Sequence, residues 1–106
     1  MANSVHLSGL LRVDEIRRIP GLGTVMEATI FEEPRKSKAR QQSFPVYLTG
    51  QQQIELVIKN NHVDSKKLPF VVVNGRLFRV NGAPRCVVLG QYIQFTGAYG
   101  VPDEIN

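Results

Sequence analysis

The side chains that could carry out chemistry are few in this sequence and lie far apart. The two histidines, His6 and His62, stand in different sequence contexts, and the single cysteine, Cys86, has no histidine or cysteine at the spacing of a metal or nucleophile motif. Gly21-Leu22-Gly23 precedes neither a helix pattern nor a Gly-Lys-Ser/Thr sequence, so it is interpreted as a plain turn. The acidic residues at predicted strand ends are interpreted as solvated charge: Asp14, Glu15, Glu32 and Glu33. We therefore expect no enzyme, no metal site and no cofactor.

Cations, in contrast, cluster as the binding of a polyanion requires. The formal net charge of +4 is a moderate indication of a nucleic-acid partner. Single strands need cations along a groove and aromatic faces for unstacked bases. Three clusters supply candidate cations, namely a polar loop, the flanks of a hairpin and the end of the first strand: Arg35, Lys36, Lys38 and Arg40; Arg76, Arg79 and Arg85; Arg12, Arg17 and Arg18. Each cluster could instead be a solvated surface, and the sequence leaves that alternative open.

Alternation along the predicted strands divides the aromatic residues between core and surface. Phe44 falls on the apolar face of the third strand and is predicted to be core, whereas Tyr47 falls on the opposite face. Arg76 and Phe78 are two residues apart and share a face; because arginine is rarely buried unpaired, Phe78 is predicted to point outward. Phe31 points outward by the same reasoning. Tyr47, Phe78 and Phe31 could stack on bases or could contact another subunit.

Five strands and one helix would position these residues. The strands are predicted at Val5–Val13, Thr24–Glu32, Ser43–Gly50, Phe70–Val80 and Arg85–Gly97, and the helix at Gln51–Asn60, where Ile54, Val57 and Ile58 have helical spacing. Val71, Val73 and Leu77 are predicted to face inward on the fourth strand. Pro45 implies a strand edge or a bulge, and Asn81-Gly82 predicts a hairpin.

This element order predicts the fold class. Internal glycines in the first, fourth and fifth strands suit the sharp coiling of a small barrel. A five-stranded all-β barrel with one helix between the third and fourth strands is the oligonucleotide/oligosaccharide-binding (OB) architecture. We expect residues 1–97 to form this domain and residues 98–106 to form a short C-terminal tail.

Length and composition are consistent with a single domain. The chain has 106 residues, 42% of them hydrophobic and 21% charged, which is close to the average of globular proteins. No apolar run approaches the ~18 residues needed to span a bilayer. The first residues lack the basic and apolar segments of a signal peptide. A single cysteine suits a reducing compartment, so we expect a cytoplasmic protein without a membrane partner.

Several segments resemble one family, the bacterial single-stranded DNA-binding proteins. Val5–Leu11 (VHLSGLL) resembles their opening strand, Gly23-Thr24-Val25 their turn into the second strand, Val71–Leu77 (VVVNGRL) their "VxVEGRL" segment, and Ile93–Gly97 (IQFTG) the end of their fifth strand. Pro45–Gly50 (PVYLTG) is similar to the "PVIVSG" segment of primosomal protein PriB, of the same superfamily. The resemblance covers about Ser4 to Gly97. It implies an OB fold, binding of single-stranded DNA with little sequence preference in replication, repair or recombination, and a homodimer or homotetramer.

The sequence also departs from that family. It contains no tryptophan, its hairpin at Gly82 is short, and its end, GVPDEIN, lacks an acidic tip with a terminal phenylalanine. These departures favour a trimmed relative, PriB-like or of phage or plasmid type, with weaker and more salt-sensitive binding. Two alternatives stay open: an OB-fold interaction module of a replication or mobile-element complex, and an RNA-binding OB protein.

Overall fold

A computed structural model describes residues 3–32, 42–60, 67–79 and 86–101 of the chain. Its elements are β1 (Val5–Ile19), β2 (Gly23–Phe31), β3 (Ser43–Thr49), α1 (Gln51–Asn60), β4 (Leu68–Arg79) and β5 (Cys86–Gly100). The strands close into a barrel in the order β1-β2-β3-β5-β4. Of the pairings between the described strands, β3–β5 is parallel and the others are antiparallel. The predicted five-stranded OB barrel, with its helix between the third and fourth strands, is confirmed.

The barrel interior is filled by alternate residues of the strands, as the sequence pattern predicted. Its most deeply buried members include Met26, Ala28 and Ile30 of β2, Val46 and Leu48 of β3, and Val71 and Val73 of β4. Helix α1 adds Ile54 and Val57 to this core. Ile58, which has the same helical spacing, is 56% exposed, so α1 buries a narrower stripe than predicted.

Strand β1 continues to Ile19, well past its predicted end at Val13. The β1–β2 register shifts between Val13 and Glu15, so Asp14 is an extra residue opposite no partner, as in a β-bulge. The bulge lets the strand continue through a polar segment. Arg17 and Arg18 therefore lie within β1, paired with Val25 and Thr24, and do not flank the strand's end.

Two glycines allow backbones to approach closely where the barrel coils. Gly9 pairs with Val71 of β4, and the next residue, Leu10, is the first to pair with β2. A β-carbon at Gly9 would collide with the backbone carbonyl oxygen of Phe31, and one at Gly75 would collide with that of Leu89. Only glycine fits at these two crossings.

Two residues predicted to be core are not. Leu77 is 50% exposed because β4 runs past the end of β1, whose last pairing with β4 joins Val5 to Gly75. The side chain of Asn3 instead pairs with the backbone of Leu77, through bonds of 3.1 and 3.2 Å. Phe44 is only half-buried, since the β3–β5 pairing begins at Val46 and leaves that position uncovered.

The β4–β5 ribbon is the longest in the barrel. Arg79 pairs with Cys86 at its outer end, and Leu68 pairs with Gly100 at the other. Strand β5 therefore extends beyond its predicted end at Gly97. The Asn81-Gly82 turn and residues 102–106 lie outside the described residues. In the described part of the chain, no helix is long and apolar enough to cross a membrane.

Candidate nucleic-acid interface

The outward side chains of β1, β2 and β3 form a continuous polar and aromatic surface, which we call the outer face. Its members are Arg12, Asp14, Arg17, Glu27, Thr29, Phe31 and Tyr47. On β2 they alternate with the buried residues Ala28 and Ile30. Register joins the strands across this face, because Thr29 pairs with Arg12 of β1 and Glu27 pairs with Tyr47 of β3. The surface between strands 2 and 3 is the one on which OB folds bind oligonucleotides.

Arg12 is held over an aromatic ring at one end of the outer face. Its Nε lies 2.7 Å from Oδ1 of Asp14, and its Nη2 donates to Oγ1 of Thr29 at 3.3 Å. Thr29 in turn donates to Oδ2 of Asp14 at 2.6 Å. The guanidinium carbon lies 5.1 Å from the centre of the Phe31 ring, within the range of a cation–π contact. These contacts fix the guanidinium above Phe31.

Arg17 is held in a similar way further along the face. Its Nε lies 2.7 Å from one carboxylate oxygen of Glu27, and its Nη2 donates to the other at 3.1 Å, a two-pronged pair. The pKa of Arg17 is raised above its ordinary value. The largest cause is a hydrogen bond to the Tyr47 hydroxyl, and the next largest is the attraction of the Glu27 carboxylate. Arg17 therefore stays charged at any accessible pH, and its charge is balanced by Glu27.

The hairpin end of β4 carries a second pair of an arginine with an aromatic ring. The guanidinium carbon of Arg76 lies 5.8 Å from the centre of the Phe78 ring, so the two residues share a face as predicted. Arg76 and Arg79 are both exposed. Among the described residues, no carboxylate forms an ion pair with either of them, in contrast to Arg12 and Arg17.

The structure places most of the described site residues in two groups. Arg12, Arg17 and Tyr47 meet on the outer face, whereas Arg76, Phe78 and Arg79 lie on the hairpin. Arg18 is exposed on β1 beside neither aromatic pair. The remaining predicted residues fall outside the described ranges: Arg35, Lys36, Lys38, Arg40 and Arg85.

Sequence reasoning missed the acidic partners of the face. Asp14 was interpreted as solvated charge at a strand end, but it lies within β1 and pairs with Arg12. The spacing of Arg12 and Asp14, two residues apart, would have signalled their contact if β1 had been predicted to continue. Nothing local signals the contact of Arg17 with Glu27, because it depends on strand register.

The remaining candidate features of the described residues are His6 and a cleft beside α1. The described residues contain no group of three or more His, Cys, Asp or Glu side chains placed to hold a metal ion. His6 is exposed on β1 and hydrogen-bonds the side chain of Asn74. A cleft of about 550 Å³ at the start of α1 holds one carboxylate, that of Glu55; its lining consists of Leu22, Thr24, Gly50, Gln51, Ile54 and Glu55. No nucleophile and base converge there.

Comparison with known proteins finds similarity in structure but not in sequence. No family model matches the chain, and no curated protein matches it. One solved structure of Rim1, a mitochondrial single-stranded DNA-binding protein of S. cerevisiae, matches with a TM-score of 0.67 at 11% identity, covering 87% of this chain and 91% of that one. A second Rim1 structure matches with a TM-score of 0.62 at 12% identity, covering 88% and 92%. At these identities the similarity establishes the fold alone.

Proposed function

We propose that this protein binds single-stranded DNA without sequence preference and without catalysing a reaction on it. The observation that carries the proposal is the pairing of surface aromatic rings with arginines, Arg12 with Phe31 and Arg76 with Phe78. The likeness in fold to Rim1, whose name describes single-stranded DNA binding, supports it. We infer a role in replication, repair or recombination, as a relative of the bacterial single-stranded DNA-binding and PriB proteins or of phage and plasmid forms.

The proposed mechanism divides the ligand between two kinds of contact. Unstacked bases would lie against Phe31, Tyr47 and Phe78 or against the guanidinium planes beside them, because every base offers a flat π-face. Phosphates would be met by cations such as Arg76 and Arg79, with release of the counter-ions condensed on the strand. Neither contact reads the edge of a base, which accounts for binding without sequence preference.

Fluorescence anisotropy with a labelled dT oligomer at two salt concentrations tests this proposal. We expect binding at low salt that weakens as salt rises, with a slope of about 0.7 per phosphate contact. Absence of binding at low salt would overturn the proposal and favour the protein-interaction module. A rU oligomer of the same length, measured in parallel, tests the RNA alternative, and tighter binding to it than to dT would replace DNA as the ligand.

Phe78→Ala is expected to weaken binding to the dT oligomer by about tenfold, because one base–aromatic stack contributes about 1–3 kcal/mol. The slope of affinity against salt should not change, since no charge is removed. Leu77→Ala is a matched control, because Leu77 is the neighbouring exposed apolar residue and points to the other side of β4. Equal losses in the two variants would contradict a stacking role for Phe78.

We further propose that the chain forms a homodimer or homotetramer. Among the described residues, Val5–Gly9 pair only with β4 and the β2 pairing starts at Leu10, so no described strand covers the other edge of this part of β1. Tyr92 of β5 lies in the region where β1, β4 and β5 run side by side, and it is 58% exposed. Sedimentation equilibrium should give a mass of two or four times 11.9 kDa. A monomer mass at the concentrations of the anisotropy experiment would contradict this assembly.

The remaining parts of the proposal concern the surroundings of the protein in the cell. A cytoplasmic location and contacts with other replication proteins stay predictions from the sequence.

A further inference from the structure

We propose that Asp14 and Glu27 are built-in counter-ions of Arg12 and Arg17, so that the outer face selects ligands by their unpaired bases and not by phosphate charge alone. The inference rests on the proposed function, since it concerns how the same face chooses among polyanions. It assigns a specificity-determining role to two carboxylates, although binding of DNA does not by itself require acidic side chains.

The geometry shows that each carboxylate is committed to its arginine. Asp14 uses both oxygens, one on Arg12 and one on Thr29, and it reaches the outer face because it is the extra residue of the β1 bulge. Glu27 also uses both oxygens, each on Arg17. The Glu27 side chain is only 20% exposed, whereas that of Arg17 is 50% exposed. The side chains of Arg12 and Asp14 differ in the same sense, at 53% and 35%. The arginines are therefore more accessible to a ligand than the acids.

Binding of a phosphate at the outer face exchanges one negative partner of an arginine for another. A phosphate that approaches Arg12 or Arg17 replaces a carboxylate that already balances the guanidinium charge. The freed carboxylate must then be hydrated or take up a cation from solution, which offsets the cation released from the nucleic acid. The electrostatic gain at these two positions is consequently small, and a ligand that offers only phosphates obtains little from the outer face.

A single strand has unpaired bases, which a polyanion consisting only of phosphates lacks. Its unpaired bases can stack on Phe31 and Tyr47 or on the guanidiniums beside them. A duplex keeps its bases stacked internally and presents mainly phosphates to a surface of this kind. Specificity can be achieved by weakening the wrong complex as well as by strengthening the right one, and the two acids weaken binding that depends on charge alone.

The hairpin provides an internal contrast. Arg76 also lies over a ring, that of Phe78, but no described carboxylate pairs with it. We therefore assign the general electrostatic attraction to the hairpin and the discrimination between ligands to the outer face. In terms of measurement, Arg76→Ala should lower the salt slope by about 0.7, whereas Arg12→Ala should lower affinity for dT and leave the slope unchanged.

The decisive variant combines Asp14→Asn with Glu27→Gln, which removes both charges, keeps the side-chain shapes and leaves one acceptor oxygen at each position. We expect the salt slope for a labelled dT oligomer to steepen by about 1.4, from two contacts of about 0.7 each. Affinity for a duplex of equal length should rise about tenfold, against about threefold or less for dT. Glu55→Gln on α1 is the control, because it removes one negative charge from an exposed position away from the outer face and should change both affinities equally.

The outcomes separate this inference from the proposed function. Wild-type protein that binds no dT oligomer overturns both. Wild-type binding together with an unchanged slope and an unchanged ratio of dT to duplex affinity in the double variant overturns only the role of the two acids. Thermal unfolding of each variant shows whether it is folded. If the double variant is not folded, the lower slope expected for Arg76→Ala and the unchanged slope expected for Arg12→Ala decide the question.

Discussion

Replacing Arg35, Lys36, Lys38 and Arg40 together by alanine is expected to weaken binding to a dT oligomer by about 100-fold and to flatten its salt dependence. The four substitutions lower the formal net charge from +4 to 0 (4 − 4 = 0). On the outer face Arg12 and Arg17 are already neutralised by acids, so a large part of the electrostatic attraction must come from elsewhere in the chain. In the sequence this segment lies between β2 and β3, and it carries the densest group of cations in the chain.

Titration of the dT oligomer at several salt concentrations measures this effect directly. We expect the slope to decrease by about 0.7 for each lost phosphate contact. A control variant that changes Lys59 and Lys67 to alanine removes two exposed cations outside the outer face and the hairpin, and its slope should stay close to that of the wild type. An unaltered slope in the fourfold variant would exclude this segment from the site and leave the hairpin arginines as the main source of attraction.

The fold could be predicted because its signals are local. Helix α1 spans Gln51–Asn60, as expected from apolar residues at helical spacing. Strand β2 buries Met26, Ala28 and Ile30, the alternate residues that period-two patterning selects. In both elements, the residues of the buried face can be identified from one continuous stretch of sequence. The order of elements then leaves few architectures other than the OB barrel.

The sequence-based predictions were wrong where the local residue pattern and the packing of neighbouring strands disagree. The segment Asp14–Arg18 is polar and would not be assigned to a strand on its own, yet β2 pairs with it as far as Ile19 and the bulge at Asp14 accommodates the extra residue. Leu77 lies on the inward side of β4, as alternation indicates. Alternation does not tell where the neighbouring strand ends, and β1 ends its pairing at Gly75, so Leu77 is exposed.

The same distinction applies to the site. Arg76 and Phe78 could be paired from sequence because two residues on one strand share a face. The cluster of Arg17, Glu27 and Tyr47 joins three strands, and its members meet only through the registers of β1–β2 and β2–β3. Cations are visible in a sequence, but their neutralisation by acids across strands is not. The balance of charges on the outer face could therefore be recognised only from the structure.

Gly9→Ala is expected to lower the free energy of unfolding by about 2–3 kcal/mol, because the substitution forces an overlap between two backbones. The added β-carbon would overlap the backbone carbonyl oxygen of Phe31 and lie 2.9 Å from Cγ2 of Ile30. A side chain could rotate away, but the carbonyl belongs to β2 and is held at the crossing where β1 passes from β4 to β2. Relief of the overlap therefore requires two strands to separate.

Urea unfolding of Gly9→Ala and of Ser8→Ala measures this cost. Ser8 is the exposed neighbour of Gly9 on β1, so its substitution should change stability by less than about 0.5 kcal/mol. Because the overlap is with Phe31 itself, separation of the strands would also shift the ring that Arg12 covers. Folded Gly9→Ala protein should consequently bind dT more weakly with an unchanged salt slope, since ring placement and not charge is altered. Stability equal to that of Ser8→Ala would contradict the close approach of β1 and β2, whereas lower stability with wild-type affinity would show that Phe31 does not contact the strand.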